Sequence, residues 1–121
     1  MERHIIISKD AELVRISQSS LVYVSAEGNY SYIVTRDGKK HLVTFQLGQI
    51  EDAINRQIDN EELLFLRIGR SLIINTEYIY LIDTSKQLLI LSDFHGFQQE
   101  LTASKEALTK LKAIIESTKN D

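Results

Sequence analysis

No apolar run in this 121-residue chain exceeds five residues, and turn-forming clusters separate nearly every pair of runs. A pattern of that kind builds many short strands and leaves nothing long enough to span a membrane as a helix. The first strands fall at Ile5-Ile6-Ile7 and Leu13-Val14-Arg15-Ile16, then at Leu21–Ala26 and Tyr30–Thr35, with Glu27-Gly28-Asn29 between the last two. Asp37-Gly38 ahead of His41–Phe45 is a hairpin signal, because glycine accepts the positive φ of a tight primed turn. The period then changes. Leu47, Ile50, Ile54 and Ile58 recur at helical spacing, with Glu51 and Asp52 placed early in that helix to suit its positive end. Asp59-Asn60-Glu61-Glu62 returns the chain to strands at 64–68, 72–74, 78–82, 88–91 and, more weakly, 97–101. Leu108, Leu111 and Ile115 mark a last helix, N-capped by Ser104 or Thr102, and residues 117–121 form a polar tail. With neither repeat nor linker, residues 1–121 read as one mainly β domain with an internal and a C-terminal helix, its core at about 5–116.

Composition excludes several classes. Cysteine, proline and tryptophan are absent, so disulfide scaffolds, thiol nucleophiles, zinc ribbons and iron–sulfur sites are ruled out. The N-terminus is too short and too mixed in charge for a signal peptide, which makes a cytoplasmic protein the default. His4, His41 and His95 lack metal-ligand spacing, and the five glycines form no phosphate-cradling loop. Neither a catalytic residue, a metal site nor a cofactor is expected, and His41, alternating with Val43 and Phe45, reads as a buried structural histidine. The net charge of −3 argues weakly against nucleic acid. Residues 51–62 alone carry a local −4, however, which leaves about +1 for the rest and room for a basic edge.

One segment stands out. Phe65-Leu66-Arg67-Ile68-Gly69-Arg70-Ser71-Leu72-Ile73-Ile74-Asn75 flanks Gly-Arg-Ser with two strand-like stretches and ends in asparagine. Arg67 and Arg70 offer planar forks suited to phosphate or guanine, and Asn75 offers the donor–acceptor pair that suits an adenine edge. By local physics alone, the same residues suit a plain hairpin closed by an asparagine turn.

The order of features resembles the LytTR family of bacterial DNA-binding domains. Its signature approximates Phe-x-Arg-(Ile/Val)-His-Arg-Ser-x-(Ile/Val)-(Val/Ile)-Asn. Phe65, Arg67, Ile68, Arg70, Ser71, Ile73, Ile74 and Asn75 stand in those places. Leu21–Tyr30 is similar to the family's strand and loop ending in Asn-Tyr, and Ser104-Lys105 lies where the family often has Ser-Arg ahead of its last helix. The resemblance covers essentially the whole chain. It implies an elongated fold of small, packed antiparallel sheets with short helices beside them. It also implies a transcription regulator, often the output domain of a response regulator, that reads duplex DNA with loops in successive major grooves, on imperfect direct repeats.

Carried over, the contacts are Asn29, Tyr30 and Ser31 in a first loop, Arg70 and Ser71 in a second with Asn75 at its far end, and Ser104 and Lys105 in a third. Arg67 belongs to the same set, although its strand phase equally suits pairing with Glu61 or Glu62, and Tyr30 and Tyr32 both suit packing in a sheet. Gly69 stands where the family usually has histidine, and Lys105 replaces arginine, which implies weaker or differently tuned binding. The partners expected are double-stranded DNA, a second copy on paired sites and a regulatory protein. An alternative of another class is a protein-interaction module of the same fold that has lost DNA binding and works through the acidic 51–62 helix.

Overall fold

A computed structural model describes residues 3–59 and 63–118. The chain divides into two compact units, residues 1–77 and 78–121. The first unit is built on a five-stranded antiparallel sheet of order β5-β4-β3-β7-β6, formed by β3 (Leu21–Glu27), β4 (Tyr30–Thr35), β5 (Lys40–Val43), β6 (Phe65–Ile68) and β7 (Leu72–Asn75). A second, two-stranded sheet pairs β1 (His4–Lys9) with β2 (Glu12–Ser17), and α1 spans Leu47–Gln57.

Strand alternation supplies the core. Val24, Ile33, Val43 and Ile73 gather with Ile5 and Ile7 of β1 and with Leu47, Ile50, Ala53 and Ile54 of α1 around fully buried Phe45. The expected helical stripe is the buried stripe. The acids sit differently: Leu47, Gly48 and Gln49 occupy the first turn, where Gln49 Oε1 accepts the Gln46 N–H at 2.8 Å. Glu51 and Asp52 therefore lie past the helix's positive end. Asn60, Glu61 and Glu62 fall outside the described residues.

The register decides which loops are neighbours. Ser25 lies opposite Leu72, and Ala26 N–H reaches the Ser71 carbonyl at 2.8 Å. The β3–β4 turn and the β6–β7 turn consequently leave the same end of the sheet. The Asp37-Gly38 hairpin, closed by Gly38 N–H on the Thr35 carbonyl, and the last residue of β7, Asn75, lie at the other end.

His41 departs from expectation. It shares the Ile33 face yet is exposed, with its Nε2 3.3 Å from Thr35 Oγ1, because it lies toward the open end of that face.

In the second unit, β8 (Ile79–Asp83), β9 (Leu88–Ser92) and β10 (Gln98–Thr102) form a sheet of order β10-β9-β8, and α2 spans Lys105–Ser117. Leu89, Leu91, Leu108 and Leu111 are buried here, and Tyr78 meets Phe97 edge to face at 6.4 Å. The β9–β10 loop is wound around Asp93, whose Oδ1 accepts the N–H groups of His95, Gly96 and Phe97. Among the described residues no helix is long and apolar enough to cross a membrane, and no cluster of potential ligands could hold a metal ion.

Carboxylates at strand ends accept hydrogen bonds that hold their pKa values down. The hydroxyl and N–H of Thr44 lower Glu12, the Thr35 hydroxyl lowers Asp37, the Lys86 N–H lowers Asp83 and the His95 N–H lowers Asp93. A carboxyl lowered in the folded state adds stability that is complete above its ordinary value and disappears as pH falls through the folded value. The melting temperature should therefore fall most steeply below about pH 4. In thermal melts from pH 6 to pH 3, Glu12→Gln should show a shallower acid loss than the parent.

Candidate nucleic-acid interface

The first tip is a two-residue turn: Glu27 pairs with Tyr30, and Gly28 takes φ +59°, a left-handed conformation that a side chain would strain. Asn29 is exposed and Tyr30 is 49% exposed, whereas Tyr32 is half-buried with Lys40 Nζ 5.3 Å from its ring centroid. Ser31 points the other way. Its side chain is fully buried and its hydroxyl donates to the Phe45 carbonyl at 2.8 Å.

The second tip is the three-residue loop 69–71, since Ile68 still pairs with Leu72. Gly69 also takes φ +59°, and a Cβ there would meet nothing within 4 Å, so any cost of the family's usual histidine would lie in the backbone conformation rather than in a clash. Arg70 and Ser71 are exposed. Arg70 has no ion pair among the described residues.

Arg67 is committed elsewhere. Its Nη1 lies 2.8 Å from Glu51 Oε1 of α1, and its Nη2 donates to the Arg70 carbonyl at 3.2 Å. One guanidinium thus ties the helix to the second tip. Glu61 and Glu62, the partners that strand phase suggested, lie outside the described residues; among the described residues the partner is Glu51. No spacing rule pointed to it, because the contact depends on how α1 lies across the sheet.

Asn75 is fully buried. Its Nδ2 donates to the carbonyls of Leu21 (2.9 Å) and Gln18 (3.3 Å), and its Oδ1 accepts the Glu77 N–H at 3.0 Å. It rivets the sheet end remote from both tips. Asn75 and Ser31 were expected in the contact set; buried, with their polar groups taken by the protein's own backbone, they have no edge to offer a duplex. Burying an amide demands partners for all its polar groups, and here β3 and the turn after β7 supply them.

In the second unit, Ser104 and Lys105 are exposed at the start of α2. Ser104 is the N-cap, with its Oγ accepting the Ala107 N–H at 3.1 Å. Lys110 and Lys112 pair along the helix with Glu106 (3.5 Å) and Glu116 (2.8 Å). Lys105 pairs with no acid among the described residues and sits at the helix end where a cation is least favoured.

A sequence model of the LytTR family, described as the LytTr DNA-binding domain, matches residues 11–116. The chain belongs to the LytTR family. Among solved structures it is similar to the LytTr DNA-binding domain of a methyl-accepting/DNA response regulator from Bacillus cereus. The TM-score is 0.61 at 16% identity, over 93% of this chain and 95% of that one. That likeness shows the mostly β LytTR-type fold of small antiparallel sheets. No curated protein sequence matches the chain.

Two substitutions separate structural from contact roles. Asn75→Ala strands two carbonyls and an N–H and should cost about 3 kcal/mol in urea unfolding. Arg70→Ala removes only an exposed side chain and should leave stability within about 0.5 kcal/mol of the parent.

Proposed function

We propose that this LytTR domain is a sequence-specific transcription regulator of the bacterial cytoplasm that reads major-groove edges and phosphates through its loop tips, one copy on each of two imperfect direct repeats. The observation that carries this reading is the arrangement of the five-stranded sheet, in which the tips bearing Asn29, Tyr30, Arg70 and Ser71 share one end and Arg70 is exposed, with no ion pair among the described residues. Arg70 is the principal contact, to guanine or phosphate. Asn29, Tyr30 and Ser71 fix its register, and Ser104 and Lys105 add a third contact in which Lys105 acts as a point charge. Arg67 positions the second tip without touching DNA.

The alternative of an interaction module working through the acidic helix has less behind it. Glu51, the first acid of that segment, is occupied by Arg67.

In vitro selection from random duplex DNA at about 50 mM salt, followed by salt titration of the selected site, tests the proposal. With about four to six phosphates contacted, log K should fall against log salt with a slope near −4 to −5. Arg70→Ala should weaken binding by about tenfold or more; if Arg70 holds a phosphate, the slope should shrink by about one. Arg67→Ala should weaken binding with the slope unchanged, as expected of a group that holds the loop rather than a phosphate. Failure to enrich any sequence at this salt would overturn the reading.

A further inference from the structure

A two-stranded sheet has two free edges, and α1 closes only one of those on β1 and β2. Gln57 lends its side-chain amide to β1 as a strand would: Nε2 donates to the Ile6 carbonyl at 2.7 Å and Oε1 accepts the Ile6 N–H at 2.9 Å. In an antiparallel pair, residues whose backbone groups point inward alternate with those whose groups point outward. Ile6 points outward to Gln57, so its register partner Arg15 points outward on the opposite side, and Leu13 does likewise. Among the described residues no hydrogen bond from beyond β1 meets the backbone of Leu13 or Arg15. Glu12 ties only the start of this edge, taking the Thr44 N–H at 2.9 Å and the Thr44 hydroxyl at 2.7 Å.

Beside the open edge lies a cavity of about 390 Å³. Val14 and Ile16 form one wall, Ile33 and Val43 of β4 and β5 lie across from them, and exposed His41 also lines it. Arg15 is the one lining side chain with a full charge, and it has no ion pair among the described residues. Leu13, 61% exposed, shares the outer face of β2 with it.

We propose that this edge and cavity are a strand-addition site for an extended, acidic segment of a partner protein. The incoming backbone pairs with the N–H and C=O groups of Leu13 and Arg15. Its inward side chains are apolar and lie against Val14, Ile16, Ile33 and Val43. Its outward residue opposite Arg15 is a carboxylate, a cross-strand ion pair on the face that Arg15 already occupies. A second copy of β2 does not meet that requirement. Registers that join outward backbone groups set Arg15 against odd-numbered residues of β2 and its flanks, namely Lys9, Ala11, Leu13, Arg15 or Ser17, and none is acidic.

The probe is an acetylated, amidated peptide of sequence Thr-Val-Thr-Val-Asp-Val-Thr-Val-Thr, titrated into the isotopically labelled chain and followed by amide NMR shifts. Saturable binding with Kd below about 1 mM, shifting Leu13 and Arg15, is expected. N-methylation of the peptide at Asp and the flanking Thr positions should abolish binding, while N-methylation at the Val positions should preserve it. Replacing Asp by Lys in the peptide should weaken binding by up to about fivefold, and Arg15→Glu in the protein should reverse that preference, an outcome misfolding cannot imitate. Absence of saturable binding, indifference to which side is N-methylated, or no reversal with Arg15→Glu would each overturn the proposal. So would sedimentation showing a dimer of the chain that the peptide cannot dissociate.

Discussion

The antiparallel pairing of β3 with β7 is the constraint on which the rest of the first unit depends. It joins strands nearly fifty residues apart in sequence, with Tyr23 against Ile74 and Ser25 against Leu72. Such a pairing incurs a large loop-closure entropy cost before any contact is made. What offsets it is burial on the shared face, where Val24 and Ile73 lie with Ile33 beneath α1. Once this register is set, the two hairpin tips must emerge side by side, because antiparallel neighbours turn at a common end. A slip of one residue would exchange the two faces of the sheet and expose the apolar set.

Each end of the sheet is held by one polar side chain with several partners. At the tip end, the Arg67 guanidinium joins Glu51 of α1 to the Arg70 carbonyl, which limits how far the second loop can move from the helix. At the other end, Asn75 satisfies two carbonyls and one N–H from inside the protein. The two residues lie eight positions apart in one hairpin and look equally suited to nucleic acid in sequence. They differ in exposure: Arg67 keeps part of its surface in solvent at the rim, whereas Asn75 keeps none. The same demand for satisfied edges shows in β1, where Gln57 stands in for a missing strand, and its one-sidedness is what leaves β2 open.

Most elements of the fold were legible because they repeat with a period. The helical stripe of Leu47, Ile50 and Ile54 and the alternations within β3 and β4 report local geometry and face burial directly. Asp37-Gly38 and Ser104 were legible for a different reason: turn and cap chemistry is decided by a residue and its immediate neighbours. The site was legible only as a set of positions. Alternation could say that Ser31 and Tyr30 face opposite ways, but not which of them faces the core, since Tyr32 shares Tyr30's phase and is half-buried. His41 shows the converse failure. Its phase is that of a core residue, yet the face it joins runs out before covering it.

By itself, then, the sequence determined the strands, the two helices, the cap of the second, the Asp37-Gly38 turn, and an ordered set of motifs that place the chain in the LytTR family. These are properties of neighbours along the chain and need no knowledge of what packs where. Tertiary structure alone decided that Arg67 meets Glu51, that Ser31 and Asn75 turn inward, and that, among the described residues, Arg70 has no ion pair at the sheet end and β2 keeps a free edge. Each of those depends on the register between distant strands or on the placement of α1 across the sheet, and such distances are set by the packing of the whole core rather than by any local pattern.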